Sequence, residues 1–130
     1  MHMADLLNAP GTVVALVGAT DEPWKYGNRI FHRLSAKGIT VLPVNRSRAT
    51  VAGQTAYSSL ADLPQRPDIV NVVVPPEEGP GIVREVAELG WDHVWFQPGA
   101  ESAEARRVAR ELGIEVLEAC TMVIAARRSA

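Results

Sequence analysis

Gly18, Thr20, Gly27 and Asn28 have the types and the spacing to do chemistry. They follow residues 12–17, a short run that is almost wholly apolar and rich in β-branched side chains. Such a run suits a strand buried on both faces, as in a parallel sheet. Glycine tolerates backbone angles that a side chain forbids. A threonine hydroxyl can donate a hydrogen bond. A helix opening at Gly27-Asn28 offers backbone N–H groups and the positive end of its dipole. Strand, glycine loop and helix in that order suit a phosphate or pyrophosphate. The loop over residues 21–26 is longer than a tight dinucleotide-binding turn, and the full G-x-G-x-x-G spacing is absent.

A second set follows the next strand. A NAD site usually has an acidic residue about 20 positions after its glycines, to hold a ribose diol. Here the chain offers Asn45, Arg46 and Arg48 after Pro43. Positive charge at this place suits an extra phosphate on the ribose, as in coenzyme A or NADP. Two solvated arginines are the ordinary alternative, for Arg48 more than for Arg46. Val74-Pro75-Pro76 supplies a rigid apolar wall of the kind an adenine ring needs, and it also terminates a strand. Trp24 and Tyr26 either cover a ligand or pack their own loop.

Catalytic sets are missing. No Ser/His/Asp pattern with an elbow glycine is visible. His32 falls on the outer face of a helix, and His93 begins a strand. Cys120 is the single cysteine, with no neighbouring histidine to lower its pKa. It is expected to be a packed or loop thiol, and no metal site is expected.

The elements that must position these residues alternate. Strands are expected over residues 12–17, 40–42, 68–74, 93–96 and 114–117. Helices are expected from about Gly27 to Lys37, from Gly79 to Leu89, and from Ser102 to Gly113, with Ser102 as N-cap and Val108 and Leu112 facing inward. A short leading helix over residues 4–8, a capped turn after Ser58 or Ser59, and a last turn over residues 123–126 complete the reading. The connection through residues 51–57 looks irregular. Alternating strands and helices with short connections predict an α/β fold: one parallel five-stranded sheet, helices on both faces, right-handed crossovers and strand order 3-2-1-4-5. A ligand then belongs across the carboxyl ends of the strands, where five exit loops gather.

The totals agree with one domain over residues 1–130. Hydrophobic residues make up 47% of the chain, enough for a real core. A net charge of −2 gives no bulk attraction to nucleic acid or anionic lipid. No run approaches the roughly 18 apolar residues of a membrane span, and the start lacks the form of a signal peptide. A cytoplasmic location is expected.

Taken together, Val17-Gly18-Ala19-Thr20, Lys25-Tyr26-Gly27-Asn28, Pro43-Val44-Asn45, Gly53, Tyr57, Leu60, Leu63-Pro64, Asp68, Pro75, Gly90, Trp95, Gln97, Gly99 and Cys120 resemble the small stand-alone CoA-binding proteins. These are similar to the CoA-binding domain of the succinyl-CoA synthetase α chain. The resemblance runs from about Thr12 to Met122 and implies a Rossmann-like, doubly wound domain. It implies phosphate contacts at Gly18, Ala19, Thr20 and Tyr26-Gly27-Asn28, beside Lys25. It puts adenosine and its 3′-phosphate near Pro43, Asn45, Arg46 and Val74-Pro75-Pro76. The pantetheine arm would pass Gln97-Pro98 towards Cys120. The synthetases' second domain, with its phosphorylated histidine, has no counterpart in these 130 residues, so their catalytic cycle does not carry over. The expected function is non-catalytic binding of coenzyme A or an acyl-CoA, as a carrier, sensor or regulatory module, as a homodimer or with a protein partner. The alternative is a small NADP-type oxidoreductase.

Overall fold

The computed structural model describes residues 3–121; the expected last turn lies outside them. In chain order, a 3₁₀ helix (Met3–Asn8) leads into β1 (Val13–Val17), α1 (Tyr26–Ala36) and β2 (Thr40–Val44). A hairpin of β3 (Thr50–Val51) and β4 (Gln54–Thr55) and a 3₁₀ turn (Leu60–Asp62) precede β5 (Ile69–Val72). A second 3₁₀ turn (Pro76–Glu78) runs into α2 (Gly79–Glu88), followed by β6 (His93–Phe96), α3 (Ala103–Leu112) and β7 (Glu115–Glu118).

Five strands pair in parallel in the order β2-β1-β5-β6-β7. The expected Rossmann-like class holds, with one difference in order. Counted among the five sheet strands, the third lies beside the first, giving 2-1-3-4-5 rather than 3-2-1-4-5. Val14 pairs with Val41 on one side and Ile69 on the other. Two local features favour this outcome. All four residues of β5 are buried, which suits an interior strand. Pro43 lies inside β2 rather than in its exit loop, and proline lacks the N–H an interior strand must donate. At the sheet edge that absence costs no ladder bond, and the Pro43 carbonyl accepts from the Tyr57 N–H at 2.9 Å.

Strand side chains alternate between two cores. Val14, Leu16, Ile69 and Trp95 face α1 and the leading 3₁₀ helix. Ala15, Val70, Val72, Val94 and Phe96 face α2, α3 and Leu60. Burying each Val, Leu or Ile side chain contributes about 1.5–3 kcal/mol, so this two-sided core fixes the height at which the exit loops emerge.

Local signals decide the helix ends. The Ser102 hydroxyl caps α3 by accepting from the Ala105 N–H at 3.0 Å, and Gly113 closes the helix with φ +73°. Val108 is buried, but Leu112 is 47% exposed rather than inward, because it falls in the last turn, beyond the reach of the sheet. Ser58 and Ser59 cap no backbone N–H; both hydroxyls donate to Asp62 Oδ2 at 3.0 Å. Residues 50–55 form a tight hairpin whose central residues, Ala52 and Gly53, both have positive φ, as a primed turn requires.

Candidate functional site

β2, β1 and β5 end side by side, and a groove of about 870 Å³ opens across their carboxyl ends. Val17 and Gly18, Val44 and Asn45, and Val73 and Val74 line it where the strands stop. In the observed strand order the chain reverses direction across the sheet between β1 and β5. The groove therefore sits at the switch point where open α/β sheets bind ligands.

The glycine loop is built for close approach. Gly18 has φ +106°, and a Cβ there would stand 2.6 Å from Val73 Cγ1. A Cβ on Gly27 would stand 2.2 Å from the Gly18 carbonyl oxygen. The first turn of α1 is thus pressed onto the end of β1 at a distance only glycine permits. Gly18 also donates its N–H to the Val44 carbonyl at 3.0 Å, which ties the ends of β1 and β2.

Polar side chains then set the loop's shape. Asn28 Nδ2 donates to the Thr20 carbonyl at 3.0 Å, and the Asn28 N–H donates to Lys25 O. Asn45 Nδ2 donates to the Ala19 carbonyl at 2.8 Å, while Asn45 Oδ1 accepts from the Ser47 N–H. Thr20 Oγ1 accepts from the Glu22 N–H at 3.2 Å. Asn45 therefore ties the exit loop of β2 to that of β1, and Asn28 ties the first turn of α1 to the loop before it. Ala19 is buried in the core on the α1 side.

The cations of the groove are already paired. Arg46 Nη2 lies 2.9 Å from Glu78 Oε1, and Lys25 Nζ lies 2.9 Å from Glu22 Oε2. Arg48 stands 3.7 Å from Glu22 and 3.9 Å from Asp21. The Lys25 hydrogen bond, with Arg48 and Thr20 adding to it, holds the Glu22 carboxyl below the usual carboxylate range. Arg46 is 75% exposed, and an exposed pair is worth only about 0–1 kcal/mol. A phosphate entering the groove can take this guanidinium from Glu78 at little cost.

Exit loops from β6 and β7 play another part. Gln97 is fully buried. Its Nε2 donates to Asn71 Oδ1 at 2.8 Å and to Thr121 Oγ1, and its Oε1 accepts from the Thr121 N–H at 2.9 Å. Trp95 Nε1 donates to the Ala119 carbonyl at 2.9 Å. These bonds clamp the chain after β7 onto the sheet and bring Cys120 Sγ against the Tyr26 hydroxyl. Pro98 is exposed on a turn closed by the Ala100 N–H on the Gln97 carbonyl.

Of the residues expected at a site, the structure gathers Gly18, Thr20, Lys25, Tyr26, Gly27, Asn45, Arg46, Val74 and Pro75 around the groove. Ala19, Asn28, Pro43, Pro76, Gln97, Pro98 and Cys120 are not among its lining. Cys120 meets the lining at Tyr26. Trp24 is 75% exposed and is not among the lining. The sequence reading missed part of the lining: Ser58, Ser59 and Leu60, with Ile82 and Glu85 of α2. Ile82 shares a helical stripe with Val83, Val86 and Leu89, a pattern that signals core rather than groove; Glu85, three residues on, carries no separate signal.

A profile of the CoA-binding domain family matches residues 12–126. The chain belongs to this family. It is 31% identical over 104 residues to the uncharacterized protein YneT of Bacillus subtilis, covering 80% of this chain and 77% of that protein. It is 33% identical over 103 residues to the alpha subunit of an ADP-forming acetate–CoA ligase of Pyrococcus furiosus. That match covers 76% of this chain but only 22% of the subunit. A solved structure of a conserved hypothetical protein from Pyrococcus furiosus superposes with TM-score 0.81 at 43% identity, covering 86% of this chain and 97% of that one. A hypothetical protein from Pyrococcus horikoshii gives TM-score 0.87 at 30% identity, over 95% and 87% of the two chains. The resemblance to stand-alone CoA-binding proteins therefore holds. No helix among the described residues of this CoA-binding domain is long and apolar enough to cross a membrane.

Proposed function

We propose that the chain binds coenzyme A, or an acyl-CoA, in the groove across the ends of β2, β1 and β5. Binding is non-catalytic, and the protein serves as a cytoplasmic carrier, sensor or regulatory module, as a homodimer or with a protein partner. The observation that carries this reading is the Gly18–Gly27 contact, where no Cβ fits and the start of α1 opens on the groove. The volume, about 870 Å³, suits a bound cofactor.

The diphosphate lies against Gly18, Thr20 and the Tyr26-Gly27 start of α1, where the helix dipole favours negative charge. Arg46, released from Glu78, takes the 3′-phosphate beside Asn45, with Arg48 and Lys25 near. Val74 and Pro75, continued by Pro76, form the apolar wall for the adenine. The pantetheine arm leaves past Tyr26 on the side of Cys120. Coenzyme A supplies a thiol that carries acyl groups as thioesters; the chain's own residues bind and orient it.

Calorimetric titration with CoA, dephospho-CoA, NADP and NAD tests the reading. CoA is expected to bind more tightly than dephospho-CoA, and both nicotinamide nucleotides weakly. Arg46→Ala is expected to weaken CoA by about three- to tenfold, as a partly exposed charge-assisted bond allows, with a smaller effect on dephospho-CoA. NADP binding without a CoA signal overturns the proposal in favour of an oxidoreductase. Equal losses for CoA and dephospho-CoA remove Arg46 from the 3′-phosphate.

A further inference from the structure

One oxygen in the loop after β1 gathers three donors. Glu22 Oε2 lies 2.9 Å from Lys25 Nζ and 3.7 Å from Arg48 Nη2, and it accepts from the Thr20 hydroxyl at 3.4 Å. Glu22, Lys25, Arg48 and Thr20 all line the groove. The backbone holds the carboxylate in this place. The Glu22 N–H donates to Thr20 Oγ1 at 3.2 Å, and the Glu22 carbonyl accepts from the Lys25 N–H at 3.0 Å. Asp21 beside it does something else: its Oδ1 accepts from the Ala52 N–H at 2.7 Å, which ties the loop to the β3–β4 hairpin. Two cations and a hydroxyl that converge on one oxygen make the kind of donor set that binds a phosphate. Here a carboxylate of the chain itself takes them.

We propose that Glu22 is a resident anion of the groove: its carboxylate competes with the ligand for Lys25, Arg48 and Thr20, and so sets how much negative charge a ligand must bring. This inference rests on the CoA reading above. A phosphate on these donors would meet the Glu22 charge at close range, and like charges at one site oppose each other. The ligand must therefore displace the carboxylate. Lys25 is exposed, and Glu22 and Arg48 are only half-buried, so breaking these pairs costs little. The side chain can turn towards solvent while both backbone bonds of residue 22 stay in place. The hydrogen bond from Lys25, with Arg48 and Thr20 adding to it, holds the Glu22 carboxyl below the usual carboxylate range. Glu22 is thus ionised, and competes, at neutral pH. A singly charged anion offers these donors about what Glu22 already gives them. A diphosphate brings more charge and more acceptor oxygens, so its exchange for the carboxylate is favourable.

The test is calorimetry on the full chain with CoA and with inorganic pyrophosphate, for the wild type, Glu22→Gln and Glu77→Gln. Glutamine at residue 22 keeps the shape and the backbone bonds and drops only the charge. Glu22→Gln is expected to tighten CoA by about three- to tenfold at low salt, with a smaller gain at high salt. Glu77 is exposed and is not among the groove lining, so Glu77→Gln makes the same change of net charge away from the donors. Its CoA affinity is expected to stay within about twofold of wild type. If Glu22 only braces its loop, Glu22→Gln weakens CoA binding or leaves it unchanged. Either result overturns the resident anion and leaves the CoA reading standing. An equal gain in Glu77→Gln overturns it as well, because net charge then accounts for the effect. Tighter pyrophosphate binding in Glu22→Gln, with no CoA binding in any of the three proteins, keeps the resident anion and overturns the CoA reading. Binding of neither ligand overturns both.

Discussion

Gln97→Met separates a ligand contact from a buried anchor. Methionine keeps roughly the volume of glutamine but forms none of its strong hydrogen bonds. The substitution removes the donor to Asn71 Oδ1 and Thr121 Oγ1 and the acceptor of the Thr121 N–H. Gln97, Asn71 and Thr121 are all fully buried, so water cannot replace the lost partners. Thr121 Oγ1 still accepts from Asn71 Nδ2, so two groups, Asn71 Oδ1 and the Thr121 N–H, are left without the bonds they made to Gln97. Each costs about 1–3 kcal/mol when left unmade, which totals about 2–6 kcal/mol of the roughly 5–15 kcal/mol that holds a domain together. Urea denaturation reads this as a lower midpoint at unchanged slope. Calorimetry on the fraction that stays folded reads CoA affinity. The structure predicts a large stability loss, with affinity falling only as far as Tyr26 shifts when Cys120 is released. A stability loss below about 1 kcal/mol together with a large affinity loss would refute the anchor and restore Gln97 as a pantetheine contact.

The other expectations concern the glycine contact and the acid limit of stability. Gly27→Ala forces a Cβ to within 2.2 Å of the Gly18 carbonyl, so backbone must move. A cost of at least about 1–3 kcal/mol is expected, with loss of CoA binding; wild-type stability and affinity would refute the close approach. Arg106 holds Glu118 in two hydrogen bonds of 2.6 and 2.9 Å and keeps its carboxyl below the usual range. A lowered folded value means stabilisation that is present above the ordinary carboxylate range and lost as pH falls through the lowered value. Arg106→Ala should therefore flatten the acid limb of a stability-versus-pH curve. Identical limbs in the two proteins would show that the pair contributes nothing.

Much of the site could be read along the chain because its signals are local. A β-branched run followed by Gly18, a helix opening at Gly27, and Ser102 three residues before Ala105 each depend on neighbours a few positions away. Other features depend on what folding brings together. Asn71 stands alone in the apolar run around β5 and flags a buried polar partner, but nothing local names Gln97 or Thr121. Arg46 reads as a free cation until Glu78, 32 residues on, is placed 2.9 Å from it.

Sequence alone determined the alternation of strands and helices, the α/β class and the glycines of the first loop. Backbone preference, capping and hydrophobic period act within a few residues and need no partner. Tertiary structure alone decided that β5 lies beside β1, that Pro43 sits on an edge, that Gln97 turns inward and that Glu85 faces the groove. Those outcomes depend on which buried surfaces and hydrogen-bonding groups meet across the fold, and no spacing along the chain encodes that meeting.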